Sequence, residues 1–458
     1  KDNPWYTTFP SFYDWFARLQ YQPSQEVQWG ILGFGAGDRY TRLALDPSTL
    51  DAFSQSQDPS FTWDHHFQIA ALQHQHRLDR LQLNGNLSFT HHLREGTLSN
   101  AQERLDSRIL GLREDILWVS SDSITLASGL EVYQEHLLAF ADPQGLTPGL
   151  EEETMFLARG VQVHETIDRV RGGLYGELRY SLTPSFRLIP GVRLDMATLD
   201  TENFHPDPRL SARWDITDST RLRLAAGRYS SFPRPEYLVE ALGGTSLPSP
   251  TSWQGAGGVD QVIAERLEFS LDGYYKQLQN MYELNYDGSL SSGMSGFAYG
   301  GEFTSHYRLR DRFFAALALS LSHAEREGSP ADYDQPYALN FAGSWTFKPT
   351  WNIGLRYRLA AGIPYTPAID GLYHADTDSY SPVFGATNSA RLPPYQKIDL
   401  HLEKRFNAHT WSLTTYAELW YVPPANNVMY VVYRYDYDQE APVHGPGFIP
   451  LLGARGEF

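Results

Sequence analysis

The chain has 458 residues, with 37 Lys+Arg against 54 Asp+Glu, a formal net charge of −17 and no cysteine. The missing thiols exclude disulfide scaffolds, thiol nucleophiles and thiolate metal sites, and so acidic a chain repels nucleic-acid phosphates. Aromatic residues make up 14% of it, including 28 Tyr and 11 Trp, at a mean hydropathy of −0.42; rings in such number suit a wall between lipid and water, where Tyr and Trp settle.

No apolar run reaches the ~18 residues of a membrane-spanning helix; the longest, from Phe313 to Leu321, is about half that length. The chain opens Lys1-Asp2-Asn3-Pro4, without initiator Met or apolar leader, and is expected to be a processed or partial sequence. From there on, a period of two dominates. Residues 13–22 form a first strand that ends in a short turn at 23–26. Leu81, Leu83, Gly85, Leu87 and Phe89 alternate with polar residues. Phe186, Leu188, Pro190, Val192 and Leu194 do so further along, then Trp351, Ile353, Leu355, Tyr357 and Leu359, then Ile398, Leu400 and Leu402. Strict alternation over about ten residues sets one face against something apolar and the other against water.

Short connections fall at 23–26, 183–185, 217–219, 310–312, 348–350 and 407–409. Long ones, rich in Gly, Pro, Ser, Asp and Tyr, cover roughly 38–66, 140–166, 230–251, 324–334 and 362–393. Short and long alternate, as in transmembrane barrels with tight periplasmic turns and long extracellular loops. The expected fold is an all-β, antiparallel transmembrane β-barrel. About nine short turns give about nineteen strands, the first descending towards the periplasm; bacterial barrels have even strand numbers with both termini in the periplasm. An odd number of strands is therefore expected upstream.

Several segments resemble the TonB-dependent outer-membrane receptors. Asp207-Pro208-Arg209-Leu210-Ser211, followed by Gly227-Arg228-Tyr229, resembles a mid-barrel hairpin of these proteins, and Ala298-Tyr299-Gly300-Gly301-Glu302-Phe303 is similar to one of their strands. Asp332-Tyr333-Asp334-Gln335, Gly362-Ile363-Pro364-Tyr365-Thr366-Pro367 and Arg391-Leu392-Pro393-Pro394-Tyr395 resemble three further segments. The chain departs from the family at Tyr421-Val422-Pro423-Pro424, where an Asn-aromatic-Asp/Asn element is common. The resemblance implies a barrel of twenty-two strands, of which residues 1–458 are the C-terminal part, with an N-terminal plug and the first strands missing. It implies TonB-linked uptake of a large scarce solute such as a ferric siderophore, cobalamin or oligosaccharide, with TonB acting through the plug. The terminal Phe458 is what barrel-assembly machinery reads in such proteins. The alternative is a passive porin-like channel or a surface-binding barrel.

Candidate ligand-binding residues are loop aromatics: Tyr229 and Phe232; Tyr365, Tyr373 and Tyr380; and Tyr433 and Tyr435, with Tyr430 and Tyr437 beside them. Exposed Tyr offers an apolar face and a hydroxyl at low entropic cost; the same rings also suit a headgroup girdle. Arg209, Arg213, Arg221 and Arg223 fall on the inward face near Asp195 and Asp215, where they attract an anion, hold a plug, or pair with carboxylates across a polar lumen. The last is the expectation. His65-His66 and His91-His92 read as surface-loop histidines; neighbours on an extended chain point oppositely, so each pair offers at most one metal ligand. Asp370, Asp376 and Asp378 lack the spacing of a Ca²⁺ loop. No hydrolase, zincin or phosphate-loop pattern occurs. Neither enzymatic activity nor a metal or cofactor is expected.

Overall fold

The computed structural model describes residues 6–8, 11–44, 61–98, 100–144, 160–242, 244–284, 290–310, 312–376, 379–423 and 427–457. The period-two segments fold as antiparallel strands. They run β1 (Tyr6–Thr8), β2 (Ser11–Tyr21), β3 (Val27–Ala44), β4 (Phe61–Leu78), β5 (Leu81–Leu98), β6 (Ala101–Ser121), β7 (Ile124–Asp142), β8 (Val163–Thr183) and β9 (Phe186–Ala197). Next come β10 (Phe204–Thr217), β11 (Thr220–Ser230), β12 (Thr251–Ile263), β13 (Leu267–Leu284), β14 (Leu290–Leu309), β15 (Phe313–Arg326), β16 (Ser329–Pro330), β17 (Tyr337–Lys348) and β18 (Trp351–Ala360). The rest are β19 (Pro364–Tyr365), β20 (Ala368–His374), β21 (Ser379–Phe384), β22 (Ala390–Arg391), β23 (Tyr395–Asn407), β24 (Ser412–Tyr421), β25 (Val428–Tyr433), β26 (Glu440–His444) and β27 (Phe448–Glu457).

Among the described residues, 21 strands belong to one sheet; without the short β1 and β16, the count meets the expected nineteen or so. The pairs β19–β22, β20–β21 and β25–β26 stand outside it. Among the described residues no helix is long and apolar enough to cross a membrane. The chain divides into two compact units. The first holds Lys1–Ala212, Ala226–Trp253 and Leu278–Ser295, the second Arg213–Ala225, Gln254–Gln277 and Gly296–Phe458.

In the first unit the register carries one apolar row across five strands: Ile31 faces Leu72, Leu72 faces Leu87, Leu87 faces Leu112 and Leu112 faces Val132. These side chains are all about half exposed, so nothing within the unit covers them, although burying each is worth about 1.5–3 kcal/mol. The opposite face is charged and internally paired. Arg113 meets Asp115 at 3.0 Å, Arg193 bridges Glu131 and Asp195, and the Tyr175 hydroxyl donates to Asp115 at 2.7 Å. One pair breaks the apolar face. His74 Nε2 and Glu114 Oε2 meet at 3.0 Å from strands on either side of β5, because Gly85 between them has no side chain to hold them apart.

The second unit repeats the pattern. Trp345 faces Ile353 and Ile353 faces Leu402 on one side, all three well exposed, while Ser344, His401 and Glu418 lie on the other, with His401 Nδ1 3.0 Å from Glu418. Trp345, Phe347 and Trp351 cluster around the short β17–β18 turn, with centroids 5.9 and 6.2 Å apart, the placement of an interfacial aromatic belt.

One expectation about loops needs correction, and another is made more definite. Strands β4 and β5 have 18 residues each and β6 has 21, whereas about 9–11 suffice to cross a bilayer. The surplus carries residues 61–66 and 91–92 as strand, so His65, His66, His91 and His92 lie in the sheet. Backbone pairing continues there on both sides of β4, with Trp63, Phe67 and Ile69 on the face opposite Leu72. Second, the 230–251 connection is long and, among its described residues, free of strand, as expected, between Ser231 and Pro250. Three 3-10 turns, Pro235–Leu238, Glu240–Leu242 and Gly244–Ser246, fold it back onto the sheet. Val239 and Leu242 pack there with Ala101, Leu105, Leu137, Ala139, Ala141 and Val163.

Beneath this segment sits a buried ionic group. Arg169 reaches Glu135 at 2.7 Å and Asp200 at 3.6 Å, and donates to the Pro233 carbonyl at 2.7 Å. Neither carboxylate oxygen of Asp200 accepts a hydrogen bond from a described residue. Burial pushes its pKa up to about 6, against the pull of Arg169 and with a contribution from Glu135. The folded segment thus keeps a proton that the unfolded chain releases. The resulting stabilisation is complete below the ordinary 3.8 and is lost as pH rises through about 6. Asp200→Asn is therefore expected to strengthen hydrogen-exchange protection of 231–250 at pH 7.5, by up to about 3 kcal/mol, and to change little at pH 4. Unchanged protection at pH 7.5 would refute the assignment.

Candidate functional site

In the second unit, the three segments singled out in the sequence around Asp334, Gly362 and Arg391 meet in one knot. Arg391 Nη2 lies 2.7 Å from Asp334 Oδ2, and its Nη1 donates to the Gly362 carbonyl at 2.8 Å. Asp334 Oδ1 accepts from the Ala324 amide at 2.8 Å, and the Leu392 amide donates to the Ile363 carbonyl at 3.0 Å. The Asp334 side chain is only 2% exposed. Gly362 sits so close to the Leu392 carbonyl that no side chain fits there.

This knot sets the root of the β20–β21 hairpin by pairing Pro364 with Arg391 and Tyr365 with Ala390. Tyr373 and Tyr380 face each other across that hairpin, their centroids 5.1 Å apart, and Tyr435 meets Tyr380 edge-on at 5.6 Å. The Tyr433 hydroxyl accepts from the Ala368 amide at 3.1 Å, and the Tyr437 ring lies tilted against Tyr433 at 6.1 Å. Gly371 touches the Asp436 carbonyl, closing one hairpin against the other. Burial raises the Tyr365 hydroxyl above its ordinary pKa, aided by Glu440 and Tyr433; it stays a neutral donor. Tyr373, Tyr430, Tyr435, Ile369, Leu372 and Met429 are about half exposed or more, leaving an aromatic and apolar surface on the hairpins. Structure thus gathers Tyr373, Tyr380, Tyr433 and Tyr435 on two adjoining hairpins, with Tyr365 at the root of the first.

The other two aromatics belong to the first unit and are engaged locally. Tyr229 lies under the Arg209 guanidinium at 4.6 Å and Phe232 packs on His205 at 5.1 Å. The remaining arginines stand among carboxylates of the second unit. Arg213 and Arg221 share Asp215 at 3.5 and 2.6 Å, while Arg223 reaches Asp260 at 2.8 Å and Asp272 at 2.9 Å. Asp195 is taken by Arg193. Asp370 and Asp376 are exposed, and Asp378 lies outside the described residues. Among those residues no three His, Cys, Asp or Glu gather as a metal site.

A wide antiparallel sheet with one uncovered apolar face, one charged face and long connections alternating with short ones defines a protein that crosses a membrane with strands. The profile of the TonB dependent receptor-like β-barrel matches residues 1–418, and the chain belongs to the TonB-dependent receptor family, whose barrels reside in the bacterial outer membrane and which are transporters rather than enzymes. No curated protein matches the sequence. Among solved structures, the chain is similar to the ferric enterobactin receptor PfeA from Pseudomonas aeruginosa, with a TM-score of 0.70 at 15% identity over 98% of this chain and 70% of that one. It is also similar to P. aeruginosa FpvA bound to heterologous pyoverdines (0.68, 12%, 98% and 65%). The FrpB iron transporter from Neisseria meningitidis is a third such structure (0.66, 12%, 98% and 71%). The chain spans about two thirds of the length of these structures.

Sequence reading did not join Arg169 to Glu135 or Asp334 to Arg391. The family-like segments at 332–335 and 391–395 were the trace of the second, and the first left none.

Proposed function

We propose that this chain is the barrel portion of a receptor for energised uptake of a large, scarce solute across the outer membrane, such as a ferric siderophore, cobalamin or an oligosaccharide. The observation that carries this is the exposed tyrosine surface of the two hairpins, held in place by the Asp334–Arg391 knot. Tyr365, Tyr373, Tyr380, Tyr433 and Tyr435 supply ring faces and hydroxyls for a bulky ligand. A plug domain preceding this chain, consistent with the extra length of the similar structures, links the barrel to the TonB complex, and Phe458 addresses the chain to barrel-assembly machinery.

The test expresses the whole gene in a strain stripped of its own receptors. Radiolabelled ferric catecholate, ferric hydroxamate, cobalamin and maltodextrin are supplied in turn, with and without TonB. Uptake of one of them that vanishes without TonB is expected, and uptake unaffected by TonB in every case would overturn the proposal in favour of a passive channel. For the solute taken up, Tyr373→Ala combined with Tyr435→Ala is expected to weaken binding by about thirtyfold, the scale of an aromatic hot spot.

A further inference from the structure

The four histidines of the two His-His pairs separate by face. His66 and His91 point to one side, where His66 Nδ1 meets the Tyr13 hydroxyl at 3.2 Å, its Nε2 contacts Asp64, and His91 Nε2 meets Asp106 at 3.1 Å. His65 and His92 point to the other. In the register His65 faces Arg94 and Phe67 faces His92, so the two imidazoles are diagonal neighbours on adjacent strands. Their Nε2 atoms are in direct contact, and their centroids lie 4.6 Å apart. Each has the other's ring nitrogen facing its Nε2, where His66 and His91 have carboxylates.

We propose that His65 and His92 form a two-nitrogen site for a borderline divalent transition metal, Cu²⁺ foremost, followed by Zn²⁺ and Ni²⁺. Two neutral imidazoles nose to nose satisfy each other only if one donates its proton, whereas a metal ion takes both lone pairs once the two rings swing apart to about 3 Å or a little more between their nitrogens, the separation that bonds of about 2 Å require. Imidazole nitrogen suits copper, nickel and zinc, and Cu²⁺ heads the series for such donors. Asp38 stands directly opposite His65 on β3, on the same face, and compensates part of the charge. Arg94, the cation nearest in register, is drawn over the Trp63 ring at 5.9 Å. Among the described residues no third ligating side chain closes on the pair, so the remaining positions are open to water or to donor atoms of a bound solute. The inference goes beyond the uptake reading and stands without it, because a metal titration contains no solute.

The test is titration of the whole, untagged protein in detergent with CuCl₂ and ZnCl₂ against a chromophoric chelator, with electron paramagnetic resonance of the copper form. One Cu²⁺ per chain with two imidazole nitrogens in its spectrum is expected. His65→Gln or His92→Gln is expected to weaken binding at least about tenfold, while His66→Gln and His91→Gln change it less than about twofold. Wild-type affinity in the His65→Gln/His92→Gln double variant would overturn the site, as would losses that follow His66 or His91. Should a variant fail to fold, judged by heat-modifiable migration, the wild-type spectrum decides alone: fewer than two imidazole nitrogens sinks the proposal.

Discussion

Replacing Arg169 with alanine is expected to release the 231–250 segment from the sheet, at a cost of about 3–5 kcal/mol. The guanidinium is 3% exposed and serves two carboxylates, Glu135 at 7% and Asp200 at 0% exposure. Its loss leaves both carboxylates nearly closed off from solvent without their cation, and it removes the donor to the Pro233 carbonyl that ties down the start of the segment. Arg171 still reaches Glu135 at 2.6 Å, so Asp200 carries most of the penalty. The apolar contacts of Val239 and Leu242 remain and oppose full release. Hydrogen exchange of 231–250 and nicking by a broad-specificity protease report the outcome. Protection within 1 kcal/mol or so of the parent would show that apolar packing alone holds the segment. Arg171→Ala serves as the control, since Arg171 is 33% exposed and its change is expected to cost far less.

The second large effect is expected at Arg391. Its substitution by alanine strands the Asp334 carboxylate, 2% exposed, with the Ala324 amide as its remaining close donor and His323 Nδ1 at 3.5 Å. Breaking a buried pair on one side in this way costs about 3–5 kcal/mol. It also frees the Gly362 carbonyl, so the Pro364–Arg391 and Tyr365–Ala390 pairing at the hairpin root loosens. The consequence reaches the proposed ligand surface without touching it. Exchange is expected to rise through 362–374, and ligand affinity to fall although every tyrosine is intact. Asp334→Asn, which keeps the shape and an acceptor oxygen, is expected to do less harm. If Arg391→Ala left exchange at 362–374 unaltered, the knot would not be what positions Tyr365 and the hairpin.

Much of the fold was legible in the residues themselves. Alternation over 81–89, 186–195, 351–359 and 397–403 marked strands, because a period of two is the only one that keeps one face of a strand apolar. The nine short turns gave the strand count, since a tight antiparallel hairpin leaves little freedom in where the chain reverses. The family segments at 332–335, 362–367 and 391–395 were also visible as motifs. Their meeting was not, because the ion pair that joins them spans some sixty positions and no local rule carries charge partnership that far.

What the sequence by itself determined is the class of the protein: an acidic, cysteine-free, aromatic-rich antiparallel sheet, apolar on one face and charged on the other. Only the tertiary structure decided which side chains share a neighbourhood. It took Tyr229 and Phe232 into local packing, gathered the second set of tyrosines on two hairpins, and folded the 231–250 segment onto the sheet. It also brought His65 to His92 while turning His66 and His91 away. The physical reason is register. Which face a residue takes follows from its parity along one strand, but which residue stands beside it depends on how neighbouring strands are aligned. That alignment is set by turn geometry and by the apolar pattern of both strands together, so it is not carried by either strand alone.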